Sequence, residues 1–433
     1  MWNFLLDVNI VDGPFLYTVY AIAAAVFLYL LGRGPGWSWV LTAIVVLIVG
    51  AIVGAGILWV SVNVLGAIPG PILPEVWFWV AGAFAGCALA VWNLWYSRWW
   101  RKLIAILAVP IFSLTALFGI NASYGLDRTL GALMGISTAG TIDLDDPSAS
   151  PSADPTEPLY LTWTPPAGMP EKGRIGTPEG NIPNPNSGFP AREPQLYLPP
   201  AALVDNAPAL PLVIMMMGQP GDPDATFIAQ VLDDFASRNQ GLAPIALVVD
   251  QLGDPNVDPL CLDTGMGHVE TYIMQDVVPW AKTHLRVLQG PQFTTVAGYS
   301  NGGQCAAYFG SKYPEVFGNI LAVSPTEYQG AEQPDHVLDA VFDGDQAAYD
   351  AVKPATIMAQ KAPYPNSVAI FTIGANDGEF APGTQRLSDA AMQAGMQTTF
   401  YVVPDADHGV SGLLGGLEKG FEVLYPRLGL AAP

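Results

Sequence analysis

A chain of 433 residues has room for two or three domains, and its net charge of −21 excludes nucleic acid as a partner, because nothing in it could neutralise phosphates. The charge is unevenly spread: the first 120 residues or so are almost free of it, and the remainder carries nearly all the acidic side chains. Acidity of that kind marks a solvated surface.

Four apolar stretches come first, at residues 14–31, 39–65, 76–96 and 103–120, each close to the roughly 20 helical residues that cross a bilayer. Helices of a soluble core would show polar faces, and these do not. A cleaved leader fits poorly, since the start is acidic (Asp7, Asp12) and three further stretches follow. Arg33 lies between the first two stretches; Arg98, Arg101 and Lys102 lie between the last two, beside Trp99 and Trp100. The positive-inside rule puts both loops in the cytoplasm. The N-terminus, the loop at 69–74 and everything after the fourth stretch are then outside. This predicts a multi-pass plasma-membrane protein with an extracytoplasmic C-terminal half. Glu75 follows Pro74 at a helix start, where a carboxylate suits the helix dipole. Asn93 is the other notable polar group, and no stretch carries a charge array suited to conduction. Anchoring in membrane lipid is the expected role of this all-α region.

Residues 123–141 are Gly-rich and mildly amphipathic, and are expected along the outer membrane surface. Residues 143–158 are mostly Pro, Ser, Ala and Asp, cannot bury enough apolar surface to fold, and read as a tether. The predicted organisation is a transmembrane domain at 1–122, a juxtamembrane linker at 123–158 and a folded domain at 159–433.

In that last part, short apolar runs alternate with helical patterns. Strands are predicted at 195–198, 212–217, 245–249, 293–297, 320–323, 368–373 and 399–402, and helices at 225–239, 269–285, 303–313, 383–394 and 412–425. Runs apolar on both faces suit strands buried between helix layers. The fold class is therefore an α/β domain with a mostly parallel sheet covered on both faces, whose site forms at the carboxyl ends of its strands. Of three cysteines, Cys87 lies in an apolar stretch, while Cys261 and Cys305 lie in the outer half as one disulfide or as two separate buried thiols.

Gly298-Tyr299-Ser300-Asn301-Gly302 is G-x-S-x-G between a strand and a helix, the context of a nucleophile elbow. The tight turn needs its glycines, exposes the Ser300 hydroxyl, and aims the Asn301 N–H at a developing oxyanion. A serine hydroxyl needs a base. Of four histidines, His268 and His284 precede Ser300 and His336 follows it too closely, so His408 is the candidate. The acid belongs after the preceding strand, where Asp377 is the choice and Glu379 its rival. The second oxyanion donor belongs to Gly218-Gln219-Pro220-Gly221, and Pro220 has no N–H, which leaves Gln219. No histidine pair has metal-ligand spacing, and neither metal nor cofactor is expected.

GQPG, Cys261, Tyr272, Asp276 and Trp280, then AGYSNGGQC, GANDGEF and PDADHG, resemble the putative esterase family of α/β hydrolases, which includes esterase D, feruloyl esterases and secreted mycolyltransferases. The resemblance covers about 195–425 and is nearest to membrane-anchored actinobacterial members. It implies Ser300, Asp377 and His408 as a triad, Gln219 and Asn301 as oxyanion donors, and a disulfide between Cys261 and Cys305 that ties the loop carrying Cys261 to the helix behind the nucleophile. One departure is the acid: the mycolyltransferases use a glutamate where the best-placed residue here is Asp377. The expected function is a cell-envelope serine esterase or acyltransferase acting on lipid or cell-wall glycolipid esters. The alternative is a non-catalytic membrane scaffold or binding protein with a hydrolase-like outer domain.

Overall fold

The computed structural model describes residues 2–34, 36–65, 72–95, 97–144 and 157–433. It divides into two units, Met1–Thr138 and Ala139–Pro433.

In the first unit four helices are long and apolar enough to cross a membrane: α1 (Pro14–Leu31), α2 (Trp37–Asn63), α3 (Pro74–Trp92) and α4 (Trp99–Tyr124). The last three begin at Trp37, Pro74 and Trp99, ahead of the positions that hydropathy marks, because Pro and Trp suit helix starts and polar interfaces without raising apolarity. Gly50 lets α2 and α3 approach closely: a Cβ there would lie 2.7 Å from the Phe84 carbonyl and 2.8 Å from Ala88. The outward faces carry exposed Leu41, Ile48, Ile52, Ile106 and Leu107. Water would penalise such surface and lipid does not.

The predicted basic loops lie together. Arg101 donates to the Tyr29 carbonyl (2.8 Å) and, through Nε, to Asn93 Oδ1 (2.8 Å), and Arg33 donates to the Trp95 carbonyl (2.7 Å). The last carbonyls of a helix lack intrahelical partners and attract cations, which also accounts for Asn93. At the other end, the backbones of Val8 and Ile10 bond those of Leu130 and Arg128, both at 3.1 Å. The segment before α1 and the segment after α4 therefore lie side by side.

The second unit is built on a nine-stranded sheet. Its strands are β1 (Thr141–Ile142), β2 (Arg174–Pro178), β3 (Gln195–Leu198), β4 (Leu212–Met216), β5 (Ile245–Val249), β6 (Thr294–Tyr299), β7 (Asn319–Val323), β8 (Val368–Gly374) and β9 (Gln397–Val403). Their spatial order is β1-β2-β3-β5-β4-β6-β7-β8-β9. The run from β5 to β9 is parallel, and β3 is antiparallel to both its neighbours. β4 to β8 are buried along their whole length, as double-faced apolar runs require. One face is covered by α5 (Thr226–Arg238) and α9 (Val410–Arg427), joined by Phe235 against Tyr425 with ring centroids 4.6 Å apart. The other is covered by α7 (Asn301–Lys312) and α8 (Ala381–Gln393). The faces are told apart on β7, where Ile320 packs under α7 at Gly310 and the next residue, Leu321, packs under α9 at Gly420.

Several details depart from the sequence reading. Residues 123–138 belong to the first unit, and Thr141–Ile142 is an edge strand of the sheet. Residues 145–156, the middle of the expected tether, and 69–71 of the expected outer loop lie outside the described residues. The helix expected at 269–285 is divided into Val269–Thr271, a π-helical turn at Tyr272–Val277, and α6 (Val278–His284), because Pro279 has no N–H to continue the ladder. Three short helices, Pro334–Phe342, Gln346–Ala351 and Pro354–Lys361, stand between β7 and β8 where no element was predicted.

Candidate active site

β6 delivers its chain to a turn at Ser300 and α7 starts on the next residue. Ser300 has φ 55°, a left-handed conformation that costs a side-chain-bearing residue about 1–3 kcal/mol. The surroundings enforce it. The Ser300 N–H donates to the Val323 carbonyl (2.9 Å) and the Gly302 N–H to the Met217 carbonyl (3.1 Å). A Cβ on Gly298 would strike the Gly302 carbonyl, and one on Gly302 would strike Met216. Both glycines are needed for strand and helix to pass this closely, and the result presents Ser300 Oγ at the carboxyl end of β6.

His408, in the loop between β9 and α9, places Nε2 2.9 Å from Ser300 Oγ. Its Nδ1 lies 2.6 Å from Oδ2 of Asp377, which follows β8 and is buried. The imidazole is stacked on Phe380, with centroids 4.6 Å apart, and its backbone carbonyl accepts the Tyr299 hydroxyl. The other oxygen of Asp377 is buried without a hydrogen bond among the described residues, so the imidazole is that carboxylate's main compensation. Glu379, the rival acid, is exposed and makes no such contact. His336 stands exposed on the helix Pro334–Phe342. The structure thus brings Ser300, His408 and Asp377 together from three strand ends. A carboxylate, an imidazole and a hydroxyl in this series can take the hydroxyl proton and stabilise the imidazolium that results.

Gly218 lies against Ser300, since a Cβ on it would be 3.2 Å from that of the serine. Gln219 follows, its side chain donating to the Pro255 carbonyl at 3.3 Å. Among the described residues neither the Gln219 N–H nor the Asn301 N–H has a partner in the protein. Two uncommitted donors beside a hydroxyl suit an oxyanion. Cys261 and Cys305 form a disulfide, joining the loop after β5 to α7.

Other residues around the site lie outside any sequence motif. Arg192 is one: it bonds Asp250 through Nη2 at 2.7 Å, pairs with Asp222, and donates to the Gly221 carbonyl at 3.1 Å. It therefore fastens the loop carrying Gln219 to the end of β5. The buried Gln251 bonds the Asn301 side chain, donating to its Oδ1 at 3.0 Å. Burial pushes the Asp258 carboxyl up, and the Leu260 N–H, 2.8 Å away, and the nearby Asn301 amide pull it back. Desolvation, then Asp258 and Glu379, push the Glu332 carboxyl up to about 7, against the pull of His408. Glu332 is exposed, so solvent screens these interactions. The one available signal for Asp250 and Gln251 was their place at the carboxyl end of a parallel strand. Among the described residues no group of His, Cys, Asp and Glu could hold a metal ion.

Residues 191–412 match the family model described as putative esterase. An uncharacterized protein of Corynebacterium glutamicum is 31% identical over 320 residues, covering 70% of this chain and 71% of its own. Similar solved structures include an S-formylglutathione hydrolase of Agrobacterium tumefaciens, at 16% identity and TM-score 0.49 over 60% of this chain and 98% of that one. A fluorophosphonate-binding serine hydrolase of Staphylococcus aureus, at 13% identity and TM-score 0.46, covers 58% of this chain and 98% of its own. A nucleophile-elbow turn in a mostly parallel α/β sheet, with the family match spanning β3 to β9, leads to one conclusion: the chain belongs to the putative esterase family of α/β hydrolases and is an enzyme of the serine hydrolase type.

Proposed function

We propose that this chain is a membrane-anchored esterase or acyltransferase working outside the cytoplasm on ester-linked acyl groups of lipids or cell-wall glycolipids. The observation that carries the reading is the continuous contact from Ser300 Oγ through His408 to Asp377, at 2.9 and 2.6 Å. Ser300 Oγ attacks the ester carbonyl while His408 Nε2 takes its proton. The N–H groups of Gln219 and Asn301 receive the oxyanion of the tetrahedral intermediate. On its collapse the alcohol leaves with the proton from His408, and the acyl group stays on Ser300. Water or a sugar hydroxyl, deprotonated by His408, then attacks the acyl-enzyme and releases the serine.

Two features support the location. The basic residues Arg33 and Arg101 gather at the α1–α2 and α3–α4 ends, opposite the ends that lead to the second unit, which favours a cytoplasmic loop side. The second unit holds a disulfide, a bond of oxidising compartments. Four apolar helices keep the protein where amphiphilic esters are, and this supports the substrate class.

The test is hydrolysis of short p-nitrophenyl esters by detergent-solubilised protein. Ser300→Ala should lower kcat by at least about 10^4-fold; equal activity in the two would sink the reading. The mass added to Ser300 after exposure to envelope lipids identifies the acyl group. Impermeant labelling of a cysteine placed on the second unit, in intact cells, tests the side.

A further inference from the structure

We infer that Gln251 is a positioning residue for the oxyanion site, its side-chain amide tying the strand end that leads to Gln219 to the residue after the nucleophile. The inference rests on the proposed roles of the Gln219 and Asn301 N–H groups. Gln251 stands two residues past β5 and is buried. Its Nε2 carries two protons, and each has an acceptor: the Met217 carbonyl at 2.6 Å and Asn301 Oδ1 at 3.0 Å.

The direction of this chain of bonds is fixed by the Met217 carbonyl, which can only accept, so Gln251 turns its NH2 to it. The same nitrogen faces Asn301, which therefore turns its oxygen to Gln251. The Met217 carbonyl also accepts the Gly302 N–H at 3.1 Å, so one oxygen links both sides of the site. Peptide planes are rigid. Holding the Met217 carbonyl sets the plane that enters Gly218, and through it the heading of the Gln219 N–H.

The same segment closes over both donors. Pro255 accepts the Gln219 side chain at 3.3 Å, and Cys261 is bonded to Cys305 on α7. Oxyanion donors work by being aimed before charge develops. A side chain that supplies two protons and no charge suits this place, because a carboxylate there would face two acceptors and a lysine would bury a charge.

Gln251→Met keeps the volume and removes both bonds. The expected result is a kcat about 10- to 100-fold lower per active site, counted by fluorophosphonate titration, with KM for p-nitrophenyl butyrate within about threefold. Affinity for a trifluoromethyl ketone, which forms a tetrahedral adduct on the serine, falls in parallel with kcat/KM. A role confined to stability would lower the melting temperature and leave the analogue affinity per active site unchanged, and that result overturns the inference. If Q251M does not fold, Asn301→Ala tests the clamp from its other end: it keeps the N–H, removes the acceptor, and should give the same loss. Wild-type kcat and analogue affinity in N301A overturn the inference as well. Absence of Ser300-dependent hydrolysis in the unaltered protein would instead sink the proposed function itself.

Discussion

His408 is held on every side that matters to its chemistry. Nδ1 faces Asp377, Nε2 faces Ser300, the ring lies on Phe380, and the backbone is fixed by Tyr299. Replacing Asp377 by asparagine keeps the shape but loses the charge that favours an imidazolium. D377N is expected to lower kcat by about 10^4-fold, as measured on p-nitrophenyl butyrate, while E379Q stays within about threefold of the unaltered protein. The sequence left these two acids open because they stand two residues apart in the same loop, and only the turn after β8 decides which one faces inward. Ser300 and His408 were legible because a strand–turn–helix motif and a fixed order of acid and base leave few choices.

At the scale of elements, the strands were readable because buried parallel strands are apolar on both faces, and the apolar runs of β4, β5 and β8 stop at Gly218, Asp250 and Gly374. The connections were not readable, because their order comes from bonds between distant loops. Arg192 shows this. It precedes β3, yet it joins Gly221, Asp222 and Asp250, whose side chain is wholly buried. Arg192→Met leaves that carboxylate with backbone donors alone and should destabilise the protein by about 3 kcal/mol in urea titrations of the second unit's unfolding. The disulfide is a second long-range fastener. It closes a loop with a sequence separation of 44, and chain entropy gives such a link about 4 kcal/mol. Paired serines at Cys261 and Cys305 should lower stability by up to that amount. Dithiothreitol should bring the unaltered protein to the same midpoint and leave the variant unmoved.

For the whole molecule, the division at Thr138 and Ala139 separates two kinds of stability. The first unit exposes apolar helix faces that only lipid or detergent can cover. The second has its own sheet, its own helices on both faces, and every residue of the candidate site. Residues 139–433 should therefore fold without the spans, provided Thr141–Ile142 is kept to cover the edge at β2. On soluble p-nitrophenyl esters this fragment is expected to match the full chain within about threefold in kcat/KM, since Ser300, His408, Asp377, Gln219 and Asn301 all belong to the second unit. On esters embedded in vesicles the two should part. The full chain meets its substrate in two dimensions at high effective concentration, while the fragment, acidic over its surface, must reach a membrane from solution. A large loss on vesicle-borne esters, restored by fusing the fragment to an unrelated transmembrane helix, would assign the four spans to anchoring. If the unrelated helix restores nothing, α1–α4 do more than hold the hydrolase in place, and the anchoring role proposed for them fails.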